Sequence, residues 1–330
     1  MRTNQIFEFS MSVDNDQFQE ILARMFDRAD TWHETENGYV DCSLSDDGIT
    51  VFYRDSKYKK KVRLSVNTNL LLDDASDTDK LLRKLEKRIS KYFDSRLCID
   101  DFTLSGMSVV TDIDVETRDN ASAYLKVLQR VGKVKGFSPA SYDGLNEKNS
   151  FCLSGNSNAI DFLFYDLERS VVDWIQDNGL DHQKVKATTR NTHGILRAEV
   201  KLTKPKAVRV YTDATDITSQ IIELSKKCQD VFLDTFIRIV PFGDFYKKDK
   251  AVEIVWQEVK DSVMRRKMLR LLALIPEKKS LHLAQKAMNC RDIEKVMDAF
   301  SKINLSPVTI SKRHDVKRLK CLYAYLLCAE

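Results

Sequence analysis

Apolar residues recur at every second position in one run after another, and between these runs they return every third or fourth position. Residues 5–13 (QIFEFSMSV) alternate in the strand manner, and Asn15 opens an amphipathic helix, DQFQEILARMFDRA. Three strand-like runs follow, Tyr39–Leu44, Gly48–Tyr53 and Lys61–Asn67, the last two flanking the basic connection RDSKYKKK. Asp77 then caps the helix TDKLLRKLEKRISKYF. The order restarts with a long strand at Phe102–Val115, interrupted by Gly106, and a helix at Arg118–Val131. Strands at Phe151–Ser154 and Ala159–Tyr165 flank a turn at Gly155-Asn156, Glu168–Gln176 is helical, Gly194–Thr203 alternates again, and Ile217–Val240 is largely helical. This grammar predicts an α+β fold of two antiparallel-sheet lobes, at residues 1–98 and 99–243, with a pseudo-duplication suggested by the repeated order.

The character changes after Gly243. No alternating run survives, and residues 244–330 predict an all-helical, helix-turn-helix-like (or winged-helix) region. Its helices run through AVEIVWQEVKDSVMRRKMLRLLALI, SLHLAQKAM, RDIEKVMDAFSKI and VKRLKCLYAYLL. Ser306-Pro307 reads as an N-cap and first helical position for a short basic helix, VTISKR.

Charge separates this tail from the rest. The chain carries only +4 overall, yet residues 264–320 hold fifteen lysines and arginines against five acidic residues, a local +10 that leaves about −6 elsewhere. Such asymmetry favours a polyanion, and DNA is the expected partner of the tail. The stretch YRDSKYKKKVR adds a second basic site, where Tyr53 and Tyr58 are interleaved with Arg54, Lys57, Lys59, Lys60 and Lys61. Phosphate contacts combined with aromatic stacking suit single-stranded or melted DNA.

Several functions are excluded or disfavoured. No apolar run reaches the roughly 20 residues of a membrane span, and MRTNQIFEFSMSVDND lacks the apolar core of a secretory signal. The seven cysteines (Cys42, Cys98, Cys152, Cys228, Cys290, Cys321, Cys328) include no CxxC pair, which fits reduced thiols in a cytoplasmic protein. There is no P-loop, GxGxxG or GxSxG, and His33, His182, His193, His282 and His314 are scattered without HxH or HExxH spacing.

Three strand-borne constellations remain. Asp112 and Asp114 in TDIDV share one face of their strand, where two carboxylates call for a cation or a base between them. In FLFYDLE, Phe162, Phe164 and Asp166 face one way, and Leu163, Tyr165 and Leu167 the other. In ILRAEVKL, Arg197, Glu199 and Lys201 share a face opposite Leu196, Ala198, Val200 and Leu202. Were these strands neighbours, Asp112, Asp114 and Glu199 would form an all-oxygen pocket suited to Mg²⁺ or Mn²⁺. A salt-bridged polar sheet face is the competing reading.

The order of TDIDV (111–115), FYDLERS (164–170) and GILRAEVKLTKPKAV (194–208) resembles the replication initiation factor family of rolling-circle plasmids and integrative elements. The likeness covers roughly residues 100–245, with the tail as the DNA-reading part. It implies a nicking-closing enzyme in which a tyrosine attacks a DNA phosphate, leaving a phosphotyrosine link and a free 3′-hydroxyl. Carried onto this chain, Asp112 or Asp114 and Glu199 would hold the metal, and Arg197 or Lys201 would bind phosphate. The nucleophile would be Tyr165, in the motif, or Tyr246, set among Lys247, Lys248 and Lys250. Lys312, Arg313, Lys317 and Arg318 would contact origin DNA, with a host helicase and a second copy of the chain as further expected partners. The family usually has YDK where this chain has Tyr165-Asp166-Leu167. That departure leans towards the alternative, a non-catalytic DNA-binding or regulatory protein of a plasmid or mobile element on the same scaffold.

Overall fold

The computed structural model describes residues 3–29, 31–57, 59–72, 78–94, 96–177 and 191–327. Tyr58, Asp77, His182 and Cys328 lie outside the described residues.

The fold is α+β, but the two expected lobes are joined in one antiparallel sheet of ten strands, ordered β2-β3-β4-β5-β1-β6-β10-β9-β8-β7. The strands are β1 (Asn4–Val13), β2 (Trp32–Thr35), β3 (Gly38–Asp41), β4 (Ile49–Asp55), β5 (Lys60–Asn67), β6 (Thr103–Asp114), β7 (Phe137–Pro139), β8 (Ser150–Gly155), β9 (Ile160–Asp166) and β10 (Ile195–Leu202). Outward from the centre the first half runs β1, β5, β4, β3, β2 and the second runs β6, β10, β9, β8, β7. The two halves therefore have the same topology, with β1 and β6 paired antiparallel at the seam. Each seam strand feeds a helix, α1 (Asn15–Arg28) or α4 (Arg118–Gln129). Asp14 caps the first through the amide of Gln17, and Thr117 caps the second through that of Asn120.

One face of the sheet is covered. Phe7, Phe9, Val51, Leu64, Val109, Ile113, Phe162, Phe164, Leu196 and Val200 all join the hydrophobic core. The core takes Phe18, Leu22 and Met25 from α1, Leu81, Leu85 and Ile89 from α3 (Thr78–Tyr92), and Tyr124 and Leu128 from α4. A short α2 (Thr68–Leu71) links β5 to this layer, and Phe232 and Phe236 of the 228–239 helix complete it, Phe236 meeting Phe162 at 6.1 Å. Residues of the opposite parity, such as Val110, Leu163 and Cys152, are buried but lie outside that core.

The tail departs from an all-helical region. Helices at Lys248–Glu258, Ser262–Lys278, Leu281–Met288 and Ile293–Lys302 are present, but Phe245–Tyr246 (β11) pairs with Arg318–Leu319 (β12). No helix follows Ser306-Pro307. Pro307 and Val308 form a bend, Val308, Thr309 and Ile310 are buried, and Ile310 bridges to Lys247. A Val-Thr-Ile run is β-branched at every position, which restricts χ1 and disfavours a helix. The last helix is correspondingly short, Leu322–Leu327, and the 217–240 segment breaks into two helices at Lys227. The tail docks on α4, with Arg130 donating to the Thr309 carbonyl and Tyr124 to that of Lys320.

Gly106, on the seam strand β6, is closely packed on its other side, against β10. The β1–β6 register shifts between Glu8 and Phe9, and a Cβ on Gly106 would lie 2.5 Å from the Leu202 carbonyl oxygen. Gly106→Ala should therefore cost about 1–3 kcal/mol by overpacking. Urea denaturation is expected to show one transition displaced to lower midpoint; an unchanged midpoint would contradict this packing.

Candidate functional site

The β6–β10–β9 register sets the site. Arg197 lies opposite Asp112 on one side and opposite Tyr165 on the other, so the three form a single row across three strands. All three stand on the sheet face away from the core. Arg197 grips Asp112 with two hydrogen bonds, Nε to Oδ1 at 2.6 Å and Nη2 to Oδ2 at 2.8 Å, and also donates to the Tyr165 hydroxyl. The bidentate pair fixes the guanidinium plane and, with its hydrogen bonds, raises the Arg197 pKa further. Burial pushes the Tyr165 phenol up to about 12; the Glu199 charge adds to this, and Arg197 opposes it.

One step along β10, Glu199 is buried and ion-paired with Lys201 at 3.4 Å. Tyr165, Leu163, Glu199 and Lys201 line a cleft of about 440 Å³, closed by Tyr142 of the 140–148 loop and Ser170 of α5 (Leu167–Asp177). Tyr142 is held by Asp161, which also takes a 2.7 Å hydrogen bond from Ser154. Tyr142 carries no periodic signal in the sequence and reaches the site through irregular chain, whereas Ser170 arrives on the first turn of α5.

A second network fixes the strand ends. Glu168 at the start of α5 accepts from Arg118 of α4 and bonds His193, just before β10, at 2.7 Å. Burial alone would raise the Glu168 pKa, but the Arg118 and His193 hydrogen bonds outweigh it and hold it below the ordinary value. Close packing also matters here: Gly194 has φ +67, and a Cβ there would lie 2.8 Å from the backbone of Glu116.

The expected metal pocket does not form as a convergent donor set. Asp112 spends both oxygens on Arg197, and Asp114 Oδ1 accepts from the Glu116 amide at 2.8 Å, closing the turn into α4. Glu199 stands opposite Val110, two residues along β6 from Asp112. Among the described residues no group of three or more His, Cys, Asp or Glu side chains is arranged to hold a metal ion. The carboxylates do share one face, as their spacing implied, but Arg197 pairs with Asp112, Lys201 pairs with Glu199, and Asp114 serves its own turn.

Other expected residues are distributed more widely. Tyr246 is on the tail, its hydroxyl 3.5 Å from Asp244 and its ring 5.8 Å from the Arg318 guanidinium. Arg318 is tied to buried Asp244 at 2.7 Å, whereas Lys312, Arg313 and Lys317 are exposed on the segment before β12. In the β4–β5 hairpin, Arg54 and Lys61 pair in register, and Lys59 is exposed beside Lys57. Lys60 turns to Asp55 and to the ring of Phe18. Tyr53 does not reach solvent: it is buried in the core, bonded to Tyr92 at 2.6 Å.

Because the folded pKa of Glu168 is depressed, its stabilisation is complete above about pH 4.5 and fades as pH falls through the folded value. Glu168→Gln should cost about 1 kcal/mol at pH 7, Arg118 being well exposed. The gap between variant and parent should shrink as pH falls progressively below 4.5; a gap independent of pH in urea denaturation would refute the linkage. No helix among the described residues is long and apolar enough to cross a membrane. No family model and no curated protein matches the chain.

Proposed function

We propose that the chain is a DNA-handling protein of the replication-initiator kind, which binds origin DNA and nicks one strand through Tyr165. The observation carrying this reading is the row Asp112–Arg197–Tyr165, a phenol set against a carboxylate-held guanidinium at the edge of a cleft. A phosphate drawn to Arg197 would meet the Tyr165 oxygen in the same row. In the nicking step a bond forms between the phenol oxygen and phosphorus, and the bond from phosphorus to the 3′ oxygen breaks. The phenol proton passes to Glu199, and the leaving 3′ oxygen takes a proton from water. Arg197, already oriented, stabilises the charge that develops on the phosphoryl oxygens. A phenol with pKa about 12 is neutral at pH 7, so a base is required, and Glu199 is the carboxylate whose charge Tyr165 feels most.

The non-catalytic alternative has a specific observation in its favour: Asp112 is saturated by Arg197, and Leu167 stands where the resembling family has lysine. On that reading the same row binds a phosphate without cleaving beside it.

Supercoiled plasmid carrying an origin-like hairpin, incubated with Mg²⁺ or Mn²⁺, separates the two. Tyr165→Phe should abolish nicking and the covalent protein–DNA adduct, a loss of about a thousandfold or more. Arg197→Ala should cost about a hundredfold, and Tyr246→Phe should leave the adduct intact. Retention of the adduct in the Tyr165 variant would remove the catalytic assignment. In a salt titration of DNA binding, replacing Lys312 and Arg313 by alanine should reduce the log–log slope by about 2, one phosphate contact each. An unchanged slope would take the tail off the DNA.

A further inference from the structure

The Tyr165 row has a counterpart in the first half of the sheet. On β5, Arg63 lies directly opposite Ser10 of the seam strand on one side and Phe52 of β4 on the other. The pattern is the same: a seam-strand residue, an arginine on the next strand, an aromatic ring on the third. The contents differ. Ser10 stands where the second half has Asp112, and Phe52, with no hydroxyl, where it has Tyr165. The row lacks the groups that chemistry would need and has those that binding needs. The Arg63 guanidinium lies 4.4 Å above the Phe52 ring, and Arg63 is exposed, with Glu8 3.5 Å from its Nε. Beyond Phe52 the same strand offers Arg54, exposed and in register with Lys61, and Lys59 follows in the hairpin.

We propose that Phe52 and Arg63 form a second contact for single-stranded DNA on the open sheet face, in which an unpaired base stacks on the guanidinium–phenyl layer. A flat cation already seated on a ring presents its outer face to a base, and flanking Arg54, Lys59 and Lys61 supply charge for the backbone. This inference rests on the reading of the chain as a DNA-handling protein, but not on cleavage by Tyr165. Its place relative to that tyrosine follows from the register. Ser10 pairs with Thr103 near the start of β6, and Arg197 pairs with Asp112 near its end. Nine residues of strand separate the two rows, roughly 30 Å. Phe52 and Tyr165 also lie five strands apart, roughly 24 Å across the sheet, so the direct span is about 38 Å, which a stacked strand rising about 3.4 Å per nucleotide would cover in about eleven nucleotides. Strands shorter than this reach one row at a time, and longer ones gain by engaging both.

The test is fluorescence anisotropy of the full chain with labelled oligothymidylates at fixed salt. A twelve-nucleotide strand should bind at least about tenfold more tightly than a four-nucleotide strand. Phe52→Ala, whose site is on the surface side of the sheet, should weaken the longer strand about tenfold. Arg63→Lys should weaken it similarly, because lysine keeps the charge and loses the plane. An abasic strand of the same length should bind wild type and Phe52→Ala equally. Equal binding of the twelve-nucleotide strand by wild type and Phe52→Ala overturns the proposal. Full retention in Arg63→Lys, or the same loss with the abasic strand, overturns it as well, leaving at most a charge contact. Adduct formation in the Phe52→Ala variant, measured in parallel, reports on the Tyr165 reading separately. A missing wild-type adduct with Phe52-dependent binding sinks only the nicking step, and a normal adduct with Phe52-independent binding sinks only this one.

Discussion

The antiparallel pairing of β1 with β6 holds the architecture together. Each of these strands is flanked by its own half of the sheet, so the hydrogen bonds from Asn4–Val110 to Ser10–Thr103 are what make two five-stranded sheets into one. The other edge of β6 packs closely against β10. Gly106 has no room for a side chain beside the Leu202 carbonyl, and the register with β1 slips by one residue next to it. With the seam formed, the strands inside the exposed edge strand β2 commit one parity to the covered face, and the other parity is left to do something else.

What it does is set by register. A cross-strand pair needs no loop to position it, and neighbouring Cβ atoms fall about 5 Å apart wherever two strands are in phase. Arg197 therefore meets Asp112 and Tyr165 through the backbone ladder rather than through side-chain reach. The same rule sets Arg63 against Phe52. Burial of Glu199 beneath the 140–148 loop and the first turn of α5 then makes the second half a cleft, with the Glu168 network bracing its mouth.

Much of this was legible from alternation alone. The faces assigned to Phe162, Phe164, Tyr165, Arg197 and Glu199 hold, because side-chain parity within a strand does not depend on the partner strand. The repeated order of elements anticipated two equal halves. Three things were not legible. Which strands pair is a long-range property, so the seam, and with it the merging of two lobes into one sheet, could not be read locally. Parity also cannot say what neutralises a carboxylate: Asp112 and Glu199 share a face as expected, but Arg197 and Lys201 satisfy them. Finally, short pairings such as Phe245–Tyr246 with Arg318–Leu319 leave no period to detect, and Ser306-Pro307 imitates a helix start before a buried β-branched run that bends and then bridges to Lys247 instead.

Because β1 and β6 run in opposite directions, the two halves are related by a half-turn about an axis normal to the sheet. A ligand with chemical polarity that lies across this face presents its leading end to one half and its trailing end to the other. Identical halves could then treat alike only features without direction, such as a flat ring or a point charge. Any step that depends on polarity, such as distinguishing one side of a phosphodiester from the other, can be built correctly in only one of them. Such symmetry pushes the halves apart in content, and the replacement of a phenol and a carboxylate by phenyl and serine in one row is the form that divergence takes here.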